Sequence, residues 1–262
     1  MQLKRSTWPQ VEAYFKEHDL VVLGFGSIEN HGWHNPLSTD WMAPNKIVEL
    51  AEERRPQVLY GPVLQLGSAE YFLDYPGTLS LGDDLLYRVV RRITGQLFDY
   101  GARHFVFLNG HGGNAAALNR CGYEISDLGC QVALVNWWKL AGQLHEPWGG
   151  GHGGAQETSA DLWIDPDSVD TSAFAGMQLS DDGGNRIHTV GLHDVEFEGV
   201  RPILVRSARR YAANGWAGPD DPTTASAEWG QEMLTAMADW FCDFLDAFAE
   251  APLPQPRERH FQ

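Results

Sequence analysis

The apolar positions change their period along the chain. Leu20, Val21, Val22 and Leu23 open a short continuous apolar run over residues 20–25, the form taken by a strand covered on both faces. Residues 58–64, 104–108 and 131–135 read as three more strands. Between these runs the spacing widens to that of helices. Val11, Tyr14 and Phe15 share one face of a helix that opens at Thr7, with Gln10 at the capping-box position and Pro9 in the first turn. Residues 43–53 read as a helix with Pro44 in its first turn. Leu85, Leu86, Val89, Val90, Ile93 and Leu97 mark another, capped by Asp83 or Asp84 and ending near Tyr100. Further helices are expected over residues 115–128, as a short element ending near Trp163, and as a long one carrying Trp229, Met233, Met237, Trp240, Phe241, Phe244, Leu245 and Phe248. Residues 67–82 and 139–151 read as loops. The Gly-, Asp- and Pro-rich stretch 165–222 is long for a structureless connection and is expected to hold short strands. Strands alternating with helices predict right-handed βαβ units, and therefore an α/β fold with a mostly parallel sheet, as a single domain over residues 1–262.

In such a sheet the carboxyl ends of the strands form the binding edge. Two polar clusters fall there. Glu29, His31, His34 and Asp40 follow the first strand, and His111 sits in the turn Asn109-Gly110-His111-Gly112-Gly113-Asn114 after the third. Carboxylates and imidazoles are ligands of Zn, Mn and Fe, and a carboxylate can bridge two such ions. Glu29 and His31 are two apart and point the same way in an extended segment, while the loop through Pro36 brings Asp40 back to them. Glycines beside His111 suit a backbone that lets an ion or substrate approach closely. A third cluster, His152 to Ser159, opens a helix with Glu157 in its first turn, where a carboxylate also complements the helix dipole. Any one cluster is compatible with a polar surface loop. Their convergence on one edge is what points to a metal site.

Composition narrows the partners. Net charge is −16, from 19 Lys and Arg against 35 Asp and Glu, which argues against nucleic acid and anionic membrane surfaces. No apolar run approaches the roughly 20 residues of a membrane span, and the first residues carry no signal-like apolar core, so a soluble cytoplasmic protein is expected. Cys121, Cys130 and Cys242 form no ligand-like pair and read as thiols of a reducing compartment. Gly24 and Gly26 begin a dinucleotide fingerprint that fails at Glu29, and the glycine turn lacks the Lys-Ser/Thr of a phosphate loop. Ser159 has no obvious base partner.

The three motifs, in order and spacing, resemble the creatininase (creatinine amidohydrolase) family, as do Pro76-Gly77-Thr78 and the stretch Gly215 to Gly230. The resemblance implies a three-layer α/β/α domain with two divalent ions (Zn, Mn or Fe) per subunit, in a homo-oligomer that is a hexamer in creatininase itself. It implies that Glu29 and His111 hold one ion and His31 the other, with Asp40 bridging and Glu157 as a ligand or proton-transfer group. His152 matches a proton-transfer histidine. Trp148 and Trp137 or Trp138 match substrate-side tryptophans, and Ser68 and Tyr71 are expected beside the substrate. Two positions depart from the pattern: Gly113 stands where creatininase has Glu, and Tyr71 where many members have His. The implied activity is hydrolysis of a C–N bond in a small, cyclic amide or formamide by a metal-bound hydroxide, with creatinine itself disfavoured. Family branches also include a peptidase and a hydrolase of oxidised inositols, so a peptidase or cyclic-ketone hydrolase at the same site is the first alternative. A non-catalytic metal-binding protein is the second.

Overall fold

A computed structural model describes residues 1–257; positions 258–262 of the expected domain lie outside the described residues. Helix α1 (Trp8–Glu17) leads into β1 (Leu20–Phe25), α2 (Thr39–Arg54), β2 (Leu59–Leu64), α3 (Gly82–Tyr100), β3 (His104–Asn109), α4 (Ala115–Asp127) and β4 (Gln131–Asn136). Then come α5 (Trp137–Leu144), α6 (Ala155–Ile164), the short strands β5 (His188–Thr189) and β6 (Val195–Glu196), and α7 (Ala227–Ala249). The main sheet has the order β2-β1-β3-β4 with every pairing parallel.

The continuous apolar strands sort by parity onto two helical layers. Leu20, Val22, Val106 and Leu108 pack with α2 and α7, where Ile47, Met233, Met237 and Phe241 are fully buried. Val21, Leu23, Phe105 and Phe107 face the other way, against Leu86 and Val90 of α3 and Leu118 and Cys121 of α4. Every residue of β1 and β3 is buried, as a parallel sheet covered on both faces requires. This is the expected three-layer α/β/α arrangement.

Local chemistry sets several boundaries. Gln10 accepts the Thr7 N–H at 2.8 Å, closing the start of α1. Ser226 caps α7 by accepting the Trp229 N–H at 3.1 Å. Helix α2 begins at Thr39, earlier than its apolar spacing suggests, so Asp40 lies in the first turn and Pro44 inside the helix. Asp83 and Asp84 occupy the first turn of α3 rather than its cap, and Leu85 is 48% exposed instead of facing the core. Residues 139–151, read as loop, contain most of α5 and a 3-10 turn at Glu146–Trp148. The expected short strands of 165–222 exist: β5 and β6 pair antiparallel. No helix of the described residues is long and apolar enough to cross a membrane.

Candidate metal centre

The segments that follow β1 and β3 and those that open α2 and α6 meet at the carboxyl edge of the sheet. Asn109 and Asn114, which flank the glycine turn, tie that turn to the segment after β1 and to the loop after β2. Asn109 accepts the His111 N–H and donates to the His111 carbonyl at 2.7 Å. Asn114 donates to the Gly26 carbonyl and accepts the Ser68 N–H at 2.9 Å. Gly110 lies so close to the Asp40 carbonyl that a Cβ would overlap it, so the turn can approach α2 only as glycine. Sequence reasoning gave these asparagines no role; their signal was only their place beside His111.

Glu29, His31, Asp40, His111 and Glu157 are all buried. Asp40 stands at the centre. Its Oδ1 is 3.1 Å from His31 Nε2, and its Oδ2 is 2.9 Å from His111 Nδ1. His31 Nε2 is also 3.6 Å from Glu157 Oε2, and His111 Nε2 is 3.1 Å from Glu29 Oε2. Ligand-type atoms therefore form two groups that share Asp40: Glu29, Asp40 and His111, and His31, Asp40 and Glu157. A third group, Glu29, His31 and His152, overlaps both. His152 lies 4.3 Å from His31 between ring centroids and stacks on Phe72 at 13°.

Carbonyl contacts fix the imidazole tautomers. A carbonyl only accepts, so His111 Nε2, 2.8 Å from the Ser68 carbonyl, carries hydrogen. The same holds for His31 Nδ1 at 3.2 Å from the Glu29 carbonyl. His111 Nδ1 and His31 Nε2 are left as the metal-facing atoms, and both point at Asp40. Outer carbonyls of this kind orient metal-binding histidines. His34 Nε2, with the Gly153 carbonyl at 2.9 Å, holds the turn before α6 instead.

The electrostatics are those of anions crowded out of water. Burial pushes Glu157 up to about 8, partly offset by His31, and burial likewise raises Glu29. Burial alone would lower His31 and His111 and raise Asp40. The facing carboxylates reverse this for the imidazoles, taking His31 to about 10, and the two imidazoles hold Asp40 well below the carboxylate range. His152 is held well below 6.5 by burial and by His31, and is neutral at pH 7. Glu29 Oε1 and His152 Nε2 are buried without a hydrogen-bond partner. Buried lone pairs without donors are costly. Three carboxylates and three imidazoles with such atoms suit borderline divalent cations.

The centre opens into a cavity of about 580 Å³ whose lining includes Ser68, Tyr71 and Trp138 as well as His152 and Glu157. The Ser68 hydroxyl is committed to Asp83 at 2.6 Å, so its part is played by its carbonyl on His111. Trp137 is buried in the core. Trp148 is not among the lining residues: it packs against the core layer and the His145 ring. The lining also takes in the stretch that was unreadable in sequence, through Val190–Asp194, Arg201 and Ala217–Pro219.

A parallel α/β/α sheet whose strand ends gather such ligands defines a metal-dependent hydrolase. The family model described as creatinine amidohydrolase matches residues 4–245. The chain belongs to the creatininase family of hydrolases acting on carbon–nitrogen bonds. It is 30% identical over 237 residues to the mycofactocin precursor peptide peptidase of Mycobacterium tuberculosis, covering 84% of this chain and 81% of that one. It is 31% identical over 191 residues to the creatinine amidohydrolase of Pseudomonas putida, covering 63% and 72%. Solved creatininases superpose over 95% of this chain: a manganese form with a TM-score of 0.74 at 24% identity, covering 99% of that chain, and a Zn-Zn form with 0.73 at 25%, covering 98%.

Proposed function

We propose that this chain is a dinuclear hydrolase of an amide C–N bond in a small, cyclic amide or formamide. The observation that carries the reading is Asp40, with one oxygen turned to His31 and the other to His111. Glu29, His111 and Asp40 would hold one ion, and His31, Glu157 and Asp40 the other. Bound there, two divalent ions such as Zn, Mn or Fe polarise a carbonyl and acidify water.

The chain's own residues supply the rest. Neutral His152, held against Phe72 with Nε2 unpartnered, can accept a proton and return it to the leaving nitrogen. Glu157, fixed by the Gly153 N–H at 2.8 Å, is the second candidate for holding that proton. Phe72 and Trp138 wall the site with apolar surface that limits water. Gly113, where creatininase carries Glu, is packed against the Ser68 carbonyl and the His111 ring, and a Cβ there would overlap both. That supports a substrate other than creatinine. The second reading is a peptidase, supported by the mycobacterial peptidase relative, whose match covers 84% of this chain. The test is a screen of zinc- and manganese-loaded protein against cyclic amides, formamides and short peptides. Metal-dependent cleavage of an amide supports the proposal, cleavage of peptides alone favours the second reading, and fully loaded protein that cleaves none contradicts both.

A further inference from the structure

The lining of the cavity carries a cation that the hydrolytic chemistry does not use. Arg201 lines the cavity, and no other Lys or Arg does so among the described residues. It belongs to the returning arm of a small hairpin. The Val195 N–H donates to the Pro202 carbonyl at 3.1 Å, the Leu204 N–H donates to the His193 carbonyl at 3.0 Å, and Asp194 bridges to Ile203. Val200 on the other side exchanges backbone hydrogen bonds with Phe197 at 2.9 and 3.0 Å, so the backbone around Arg201 is tied down, and Pro202 restricts it further.

Its neighbours in sequence behave differently. Arg206 and Arg210 share Asp182, and Arg186 pairs with Glu198. Arg201 pairs with no carboxylate among the described residues, in a chain with 35 acidic residues against 19 basic ones. The register of the hairpin sets Glu196 opposite Arg201, and no ion pair joins the two among the described residues; His193, which also lines the cavity, packs on Tyr71 at 4.1 Å between centroids, and its Nδ1 is buried without a hydrogen-bond partner. A guanidinium fork matches a carboxylate with two parallel hydrogen bonds, so an uncommitted fork on a cavity wall is a receptor for that group. Two divalent ions, once bound, would outweigh the three carboxylates that hold them, so the loaded centre would not repel an anion.

We propose that Arg201 binds a carboxylate on the substrate, so that the amide hydrolysed here carries an acid group beyond the scissile bond. This rests on the hydrolase reading above and narrows its substrate class. The acid can come from an N-acyl amino acid or from the free C-terminus of a short peptide, and the reactive end would sit on the metals while the carboxylate reaches Arg201.

The experiment compares matched acids and amides on zinc-loaded protein. N-acetylphenylalanine and its carboxamide form one pair, and a tripeptide with free and with amidated C-terminus the other. Binding is read by calorimetry and KM by turnover, for wild type, Arg201→Met and Arg201→Lys. In at least one pair wild type is expected to prefer the acid tenfold or more, which is about 1.4 kcal/mol. The pair that shows the preference identifies the source of the carboxylate. Arg201→Met should bring the ratio to about one with zinc content unchanged, and Arg201→Lys should restore part of it. The preference should shrink in high salt because Arg201 is exposed. Equal binding of acid and amide by wild type in both pairs overturns the receptor. So does a preference that survives in Arg201→Met, since the carboxylate then goes to the metals. If loaded protein cleaves nothing, the hydrolase reading fails, and the receptor is still decided by the binding ratio.

Discussion

Gly113→Ala adds one methyl group at the most crowded point of the centre. Gly113 lies outside the left-handed backbone region, so the effect is one of space rather than conformation. A Cβ built there overlaps the Ser68 carbonyl oxygen and the imidazole of His111. Those two groups form the 2.8 Å hydrogen bond that sets the His111 tautomer and turns Nδ1 towards Asp40. The methyl can be accommodated only by moving Ser68 away from His111 or by swinging the ring. Forcing a methyl group into a packed site costs about 1–3 kcal/mol. For a chain of this size each kcal/mol shifts the melting temperature by roughly 2–4 °C, so a drop between about 2 and 12 °C is expected. Removing the outer contact of a histidine ligand weakens metal binding by about 10- to 100-fold. Gly112→Ala is the control, because a Cβ there meets only Trp138 at 3.9 Å, an ordinary contact. The assay is thermal unfolding of the metal-free proteins by circular dichroism, followed by chelator competition for zinc. If Gly113→Ala matches Gly112→Ala in both, the Ser68–His111 contact does not orient a ligand and the tautomer argument fails.

Three further outcomes are expected. His152→Ala should keep two ions by elemental analysis while kcat on the best amide falls about 10²- to 10⁴-fold; metal lost in step with activity would make His152 a ligand of the third ligand group. Asp220 accepts the N–H groups of Gly151 and Gln156, each at 2.8 Å, and so clamps the turn that carries His152. Asp220→Asn should destabilise the protein by about 1–3 kcal/mol in urea unfolding, and an unchanged midpoint would refute the clamp. In metal-free protein His31 holds its proton to about 10 and Glu157 to about 8, against ordinary values of 6.5 and 4.5. Both are raised, so the stability they contribute is complete below the unfolded values and is lost as pH rises through the folded ones. Metal requires the deprotonated forms and stabilises more as they appear. The gain in melting temperature on adding zinc should therefore be larger near pH 9 than near pH 6, and a smaller gain near pH 9 contradicts the assignment.

How far the sequence could be read depends on how local each signal was. β1 and β3 are continuous apolar runs because both faces are covered, and α7 is a clean stripe because one face packs on the sheet. Helix α5 escaped notice because it starts at Trp137, directly after β4 with no intervening turn, and carries Gly142. The start of α2 was misplaced because Pro44 reads as a first-turn residue. In the structure it sits farther in, where it lacks the N–H that would bond the Asp40 carbonyl. The charged groups of the centre were visible as motifs after strands. The carbonyls of Ser68 and Gly153 and the side chains of Asn109, Asn114 and Asp220 were not, since their roles exist only once distant segments meet. Arg201 lies in a stretch held by single bridges and isolated hydrogen bonds, which leave no periodicity to read.

The central claim is that Asp40 bridges two ions, and it is tested by metal per subunit after dialysis in wild type, Glu29→Gln, His31→Ala and Asp40→Asn, with folding matched by circular dichroism. A neutral amide of the same size cannot screen two dications held close together. Two ions are expected in wild type, about one in Glu29→Gln and in His31→Ala, and the largest loss in Asp40→Asn. An Asp40→Asn protein that keeps two ions while either other variant loses both would contradict the bridge.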